Sequence, residues 1–82
     1  MMLEPQFKIT SSRNELIISY QQGRKVIDFS YQVHDGRNQP HLDRLKDNVR
    51  KNYKNNMTID KVYTLGYKYN ITPVVKSQRI LF

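Results

Sequence analysis

The chain has 82 residues, fourteen Lys and Arg against seven Asp and Glu for a formal charge of +7, and no cysteine. A single small domain, residues 1–82, follows from that length. Disulfides, thiolate metal sites and cysteine nucleophiles are excluded, so the fold must rest on packing.

No apolar run approaches the roughly 20 residues that span a bilayer, and the opening MMLEPQFK has neither the basic n-region nor the apolar h-region of a leader. The expectation is a cytoplasmic protein of phage, viral or plasmid origin. Its cations are spread along the chain and not gathered in a tail, and such a charge attracts polyanions, nucleic acid foremost. The plain alternative is that the charge only keeps a small domain soluble.

Met1–Gln6 has no pattern and reads as a loose end, and Phe7–Thr10 as a short strand. After the polar break Ser11-Ser12-Arg13-Asn14, residues Glu15–Tyr20 alternate through Leu16, Ile18 and Tyr20, with Ile17 adding apolar cover on the other side. Gln21-Gln22-Gly23-Arg24 is a short link. Val26–Val33 then alternates again, with Ile27, Phe29, Tyr31 and Val33 facing one way and Asp28, Ser30 and Gln32 the other, so the two runs form a hairpin. His34–Pro40 breaks the pattern with Asp-Gly and a Pro suited to a first helical turn.

From Pro40 to Lys54 the period becomes helical, with Leu42, Leu45, Val49 and Tyr53 in one stripe facing the sheet. Asp43 and Asp47 precede Arg50, Lys51 and Lys54, which suits the helix dipole and permits Asp43–Lys46, Asp47–Arg50 and Asp47–Lys51 pairs. Asn55-Asn56 is a natural stop. Between Tyr63 and Ile71 the odd positions Tyr63, Leu65, Tyr67, Tyr69 and Ile71 are apolar or aromatic and the even ones polar or glycine, the period of a strand, so Thr58–Ile71 reads as either one long strand or two halves turning near Leu65-Gly66. Pro73 breaks it. Val74-Val75 and Ile80-Leu81-Phe82 flank Lys76-Ser77-Gln78-Arg79, the whole being a last strand or an apolar tail lying on the core. The fold class is α+β, a small antiparallel sheet in the order β-β-β-α-β-β packed on one amphipathic helix.

Chemistry-bearing clusters are few. His34 and His41 lie across a turn with Asp35 and Asp43 near them, but match no metal site, and the three glycines form neither a phosphate loop nor a nucleophile elbow. Asp43 and Asp47 share a helix face with cations that keep both ionised. No catalytic residue, metal or cofactor is assigned, and the protein is expected not to be an enzyme. Tyr63, Tyr67 and Tyr69 interleave with Lys68 as base-stacking aromatics do, although aromatics on one face of a strand are more often core, here against Leu45 and Val49.

The segments His41-Leu42-Asp43-Arg44-Leu45-Lys46 and Ile59–Tyr69, the latter ending Leu65-Gly66-Tyr67-Lys68-Tyr69, resemble the recognition helix and wing of response-regulator-type winged-helix DNA-binding domains over about 30 of the residues. The resemblance implies a helix in the major groove, with Arg44, Lys46, Lys51 and Lys54 meeting DNA, and a wing hairpin contributing Lys61 and Lys68.

The sequence therefore leads to a small, basic, nucleic-acid-binding regulatory protein, with DNA the expected partner, acting as a dimer. Its phosphate contacts would be Arg44, Lys46, Arg50, Lys51, Lys54, Lys61 and Lys68. The rival reading is an interaction module or inhibitor that binds a host protein, or a subunit of a larger assembly.

Overall fold

The computed structural model describes residues 5–53 and 57–81. Strands β1 (Gln6–Ser12), β2 (Glu15–Gln22) and β3 (Lys25–Gln32) are followed by helices α1 (Gln39–Asn52) and α2 (Ile59–Tyr69) and by strand β4 (Val74–Ile80). The four strands form one antiparallel sheet in the order β1-β2-β3-β4. The α+β class stands, but the order of elements is β-β-β-α-α-β, with two helices where the sequence pattern gave one.

Period-two alternation sets β2 and β3. Leu16 opposes Tyr31 and Ile18 opposes Phe29, so four apolar side chains lie on one face, while Glu15, Ser19, Asp28, Ser30 and Gln32 lie on the other. The link between the strands shortens to Gly23-Arg24, with Gly23 at φ 62, the conformation that suits a two-residue hairpin turn. The expected break at Ser11–Asn14 shortens likewise: Ser11 and Ser12 belong to β1, and Ser12 opposes Glu15 across the turn at Arg13-Asn14.

Helix α1 follows its sequence pattern. Leu42, Leu45 and Val49 are fully buried, Pro40 lies in the first turn, and Arg50 and Lys51 in the last. Asn55-Asn56, proposed as its stop, lie outside the described residues, as do Lys54, Met1–Glu4 and Phe82.

The segment read as strand or hairpin, Thr58–Ile71, is helix α2 with its C-terminal turn. Its apolar residues are dense enough to satisfy both periods. Beside the odd-numbered series, Ile59, Val62, Leu65 and Tyr69 recur at helical spacing. The ends decide between them. Thr58 Oγ1 accepts the Lys61 N–H at 3.2 Å, Asp60 sits in the first turn and Lys68 in the last.

At the far end Asn70 takes the left-handed conformation at φ 58. The Asn70 N–H donates to Tyr67 O and the Ile71 N–H to Gly66 O, the paired bonds of a Schellman ending. The segments cast by the resemblance as a wing hairpin are thus helical, and Lys61 and Lys68 stand on a helix and not on a wing.

Connectivity explains why two helices are needed. One helix after β3 would deliver the chain to the wrong end of the sheet for an antiparallel partner. An αα-hairpin brings it back to the end of β3, where Val74 opposes Ser30. The helices cover Leu16, Ile18, Phe29 and Tyr31 and build one core with Met57, Val62, Leu65 and Ile71. Phe29 meets Tyr63 edge-on with ring centroids 5.7 Å apart, and the buried Tyr31 hydroxyl donates to the Val62 carbonyl. Burial, with Tyr53 and Tyr63 nearby, holds the Tyr31 phenol above the usual tyrosine range, so it remains a neutral donor.

Gly66 marks the tightest approach. A Cβ there would lie 2.6 Å from both Ile71 O and Pro73 Cδ, so the chain after α2 folds back against bare backbone. Gly66→Ala is therefore expected to lower stability by about 1–3 kcal/mol, read as a lower urea midpoint. Asn70→Gly, which keeps the left-handed residue, should leave the midpoint unchanged or slightly raised. A stabilised Gly66→Ala variant would contradict this account of the turn.

Candidate nucleic-acid interface

The two faces of the molecule hold their charges differently. Both helices lie on the Leu16–Tyr31 face of the sheet. On the opposite face the described residues form two polar clusters across the strands.

Glu15 accepts from the Ser30 hydroxyl at 2.6 Å, from the Gln32 amide at 2.8 Å and from Lys76 at 3.1 Å. Asp28 Oδ2 accepts from Ser77 and from Arg79, each at 2.7 Å. Ser19 stands opposite Asp28 in the register, yet the buried Oδ1 makes no close hydrogen bond.

These contacts set the charge state of both acids. Burial alone would raise the Asp28 pKa, but the Ser19 hydroxyl across the strand, the hydrogen bonds from Ser77 and Arg79, and the Arg79 charge outweigh it and hold the carboxyl at about 2. Ser30 is the main cause for Glu15, with Lys76 and Gln32 adding to it, and its pKa is lowered as well. Lys76 and Arg79 are thus neutralised by carboxylates beside them. The polar side of β3 could be read from its alternation; the β4 cations that complete it could not, because strand order was needed.

The expected phosphate-binding residues divide among several environments. Arg44 and Arg50 are exposed on α1 without an ion pair among the described residues, and Lys68 on α2 likewise, its ammonium 5.5 Å from the centre of the Tyr69 ring. Lys51 pairs with Asp47 at 3.0 Å on the surface, a contact worth at most about 1 kcal/mol and easily exchanged. Lys61 lies over the Tyr53 ring at 5.6 Å.

Lys46 does not join them. Its ammonium holds the carbonyls of Ser12 and Arg13 and ties α1 to the β1–β2 turn. Of the three intrahelical pairs expected, Asp47–Lys51 forms; Asp43 instead accepts from the Gln39 amide at 3.1 Å. Lys54 lies outside the described residues.

The tyrosines also separate. Tyr69 is half-buried and its hydroxyl accepts from the Asn48 amide at 2.6 Å, fixing α2 to α1. Tyr67 is 91% exposed and Tyr63 49% exposed, so neither is the core residue that a strand reading implied. They line a hollow with Gly66, Asn70, Thr72 and Pro73. Helical spacing within α2 would have signalled this, since Tyr63 and Tyr67 fall off the Val62–Leu65–Tyr69 stripe.

No helix of the described residues is long and apolar enough to cross a membrane. No protein-family model, curated protein or solved structure matches the chain.

The sheet-face clusters carry a pH dependence. The folded-state pKa of Asp28 lies below its unfolded value, so the unfolded chain takes up the proton first. The stabilisation is complete above about pH 5 and fades as pH falls toward 2, by an amount on the order of 1–2 kcal/mol. Asp28→Asn should be less stable than the parent at pH 7, and its urea midpoint should fall less steeply between pH 5 and pH 2. Parallel pH curves for the two proteins would contradict the assignment.

Proposed function

We propose that this is a small, non-catalytic DNA-binding regulatory protein of the cytoplasm, which meets the phosphate backbone with its helical layer. One contrast carries the reading. Among the described residues two of the sheet-face cations, Lys76 and Arg79, are tied to carboxylates, which leaves Lys8 alone there, whereas Arg44, Arg50 and Lys68 project from the helices without an ion pair. Lys51 and Lys61 stand on the same two helices, and the exposed Tyr67 is next to Lys68, where a ring can lie against a base or sugar. Such cations position a polyanion by charge and carry no sequence code of their own.

A second reading, an adaptor or inhibitor that docks on another protein, draws support from the sheet edges at β1 and β4, beyond which no other described strand pairs. Retention of a partner after nuclease treatment of a lysate would favour it over the first.

The direct test is fluorescence polarisation of a labelled duplex of about 20 base pairs at low salt, followed by titration with salt. Three to five phosphate contacts give a slope of log K against log salt of about −3 to −5. Arg44→Glu and Lys68→Glu should each weaken binding about tenfold or more. Lys8→Gln, on the opposite face of the sheet, should leave it nearly unchanged. Absence of binding at low salt, or an equal loss in Lys8→Gln, would refute the helical interface.

A further inference from the structure

The two sheet edges are not equivalent. β4 is disrupted as a template: its pairing with β3 shifts register between Asp28 and Phe29, and it carries Lys76 and Arg79. A bulge with charges is how an edge strand resists adding a neighbour. β1 has no bulge and fewer charges. It pairs with β2 without a register shift from Gln6 to Ser12, has no proline within it, and carries one charge, Lys8.

Ile9 is 40% exposed on this edge. It borders a groove of about 350 Å³ between β1 and α1, whose lining includes Leu16, Val49 and Arg50.

We propose that β1 is the dimerisation edge, and that its occupant is β1 of a second copy, antiparallel about a two-fold axis at Ile9. That register is self-complementary. Ile9 meets Ile9 of the partner copy, Lys8 meets Thr10, and Phe7 meets Ser11, so aromatic opposes small, apolar opposes apolar and no like charges face each other. A register centred one residue earlier would place Lys8 against Lys8.

The axis stands perpendicular to the sheet, so the two sheets join into one of eight strands and both helical layers face the same way. The dimer thereby presents two copies of the Arg44 and Lys68 surface on one side. The inference does not depend on what those surfaces bind.

Two copies of charge +7 repel, and seven paired residues make a small interface, so the association is weak and strengthens with salt. That dependence is opposite in sign to binding of a polyanion. The test uses nuclease-treated full chain. Sedimentation equilibrium from about 5 to 500 µM should show the weight-average mass rising toward twice the monomer value, more so at about 0.5 M than at 0.05 M salt. Ile9→Lys should remain monomeric.

Because the chain has no cysteine, single substitutions report the register. Directly opposed residues of antiparallel strands have Cα atoms about 4.5–5.5 Å apart, within disulfide reach. Under mild oxidation Ile9→Cys should cross-link to a dimer, while Thr10→Cys, on the opposite face, and Val75→Cys, on β4, should not. A wild-type chain that stays monomeric throughout, Ile9→Lys associating like wild type, or Thr10→Cys or Val75→Cys linking as readily as Ile9→Cys would each overturn the proposal. A monomeric wild type would leave β1 to a strand of another protein.

Discussion

Leu16, Ile18, Phe29 and Tyr31 form an apolar face on the β2–β3 hairpin that two strands cannot bury by themselves. Each such side chain is worth about 1.5–3 kcal/mol when taken out of water, and for a chain of this size that sum is the largest favourable contribution available. The αα-hairpin supplies the cover through Leu42, Leu45, Val49, Val62 and Leu65. Polar links then hold each helix in place: Tyr31 to the Val62 carbonyl, Lys46 to the Ser12 and Arg13 carbonyls, and Asn48 to Tyr69. These are contacts of the helices with the sheet and with each other.

Two helices cover the middle of a four-stranded sheet and leave its margins open. α1 packs over β2, and α2 reaches β3 through Phe29 and Tyr31, so the exposed strands β1 and β4 border the covered region. The same arrangement separates the charges. Carboxylates on β2 and β3 meet cations on β4 because the αα-hairpin returns the chain beside β3, bringing Ser77 and Arg79 to Asp28 and Lys76 to Glu15. Among the described residues Arg44, Arg50 and Lys68 meet no carboxylate in this way, and Lys51 meets Asp47 at the surface. The electrostatic difference between the two faces is a product of topology.

The sequence made β2, β3 and α1 legible because each had one period only, while β4 was left open between a strand and an apolar tail. Leu16, Ile18 and Tyr20 fit a strand and not a helix; Leu42, Leu45 and Val49 fit a helix and not a strand. Tyr63 through Ile71 fitted both, and alternation alone could not choose. The deciding features were single polar residues at the ends, Thr58 accepting a backbone N–H and Asn70 at positive φ, which contribute through geometry and leave no periodic trace. A topological check would also have helped, because a fourth antiparallel strand beside β3 requires an even number of intervening passes.

For the candidate phosphate contacts on α1, membership of a helix was legible and the surroundings were not, whereas Lys61 and Lys68 were read onto a strand and stand on α2. Arg44, Lys46 and Arg50 all follow from the α1 pattern, yet Lys46 is engaged by carbonyls 33 and 34 residues earlier in the chain, a contact that no local spacing encodes. Tyr67 shows the converse. Its neighbours in sequence made it look like core, but on a helix its direction is set by Val62 and Leu65, which turn it outward beside Lys68. Tyr67 thus keeps its phenol ring almost wholly in water, which costs free energy and adds nothing to the core. Contact with a partner that offers a flat or apolar surface would offset that cost, and a base, a sugar or another protein's side chain each does so.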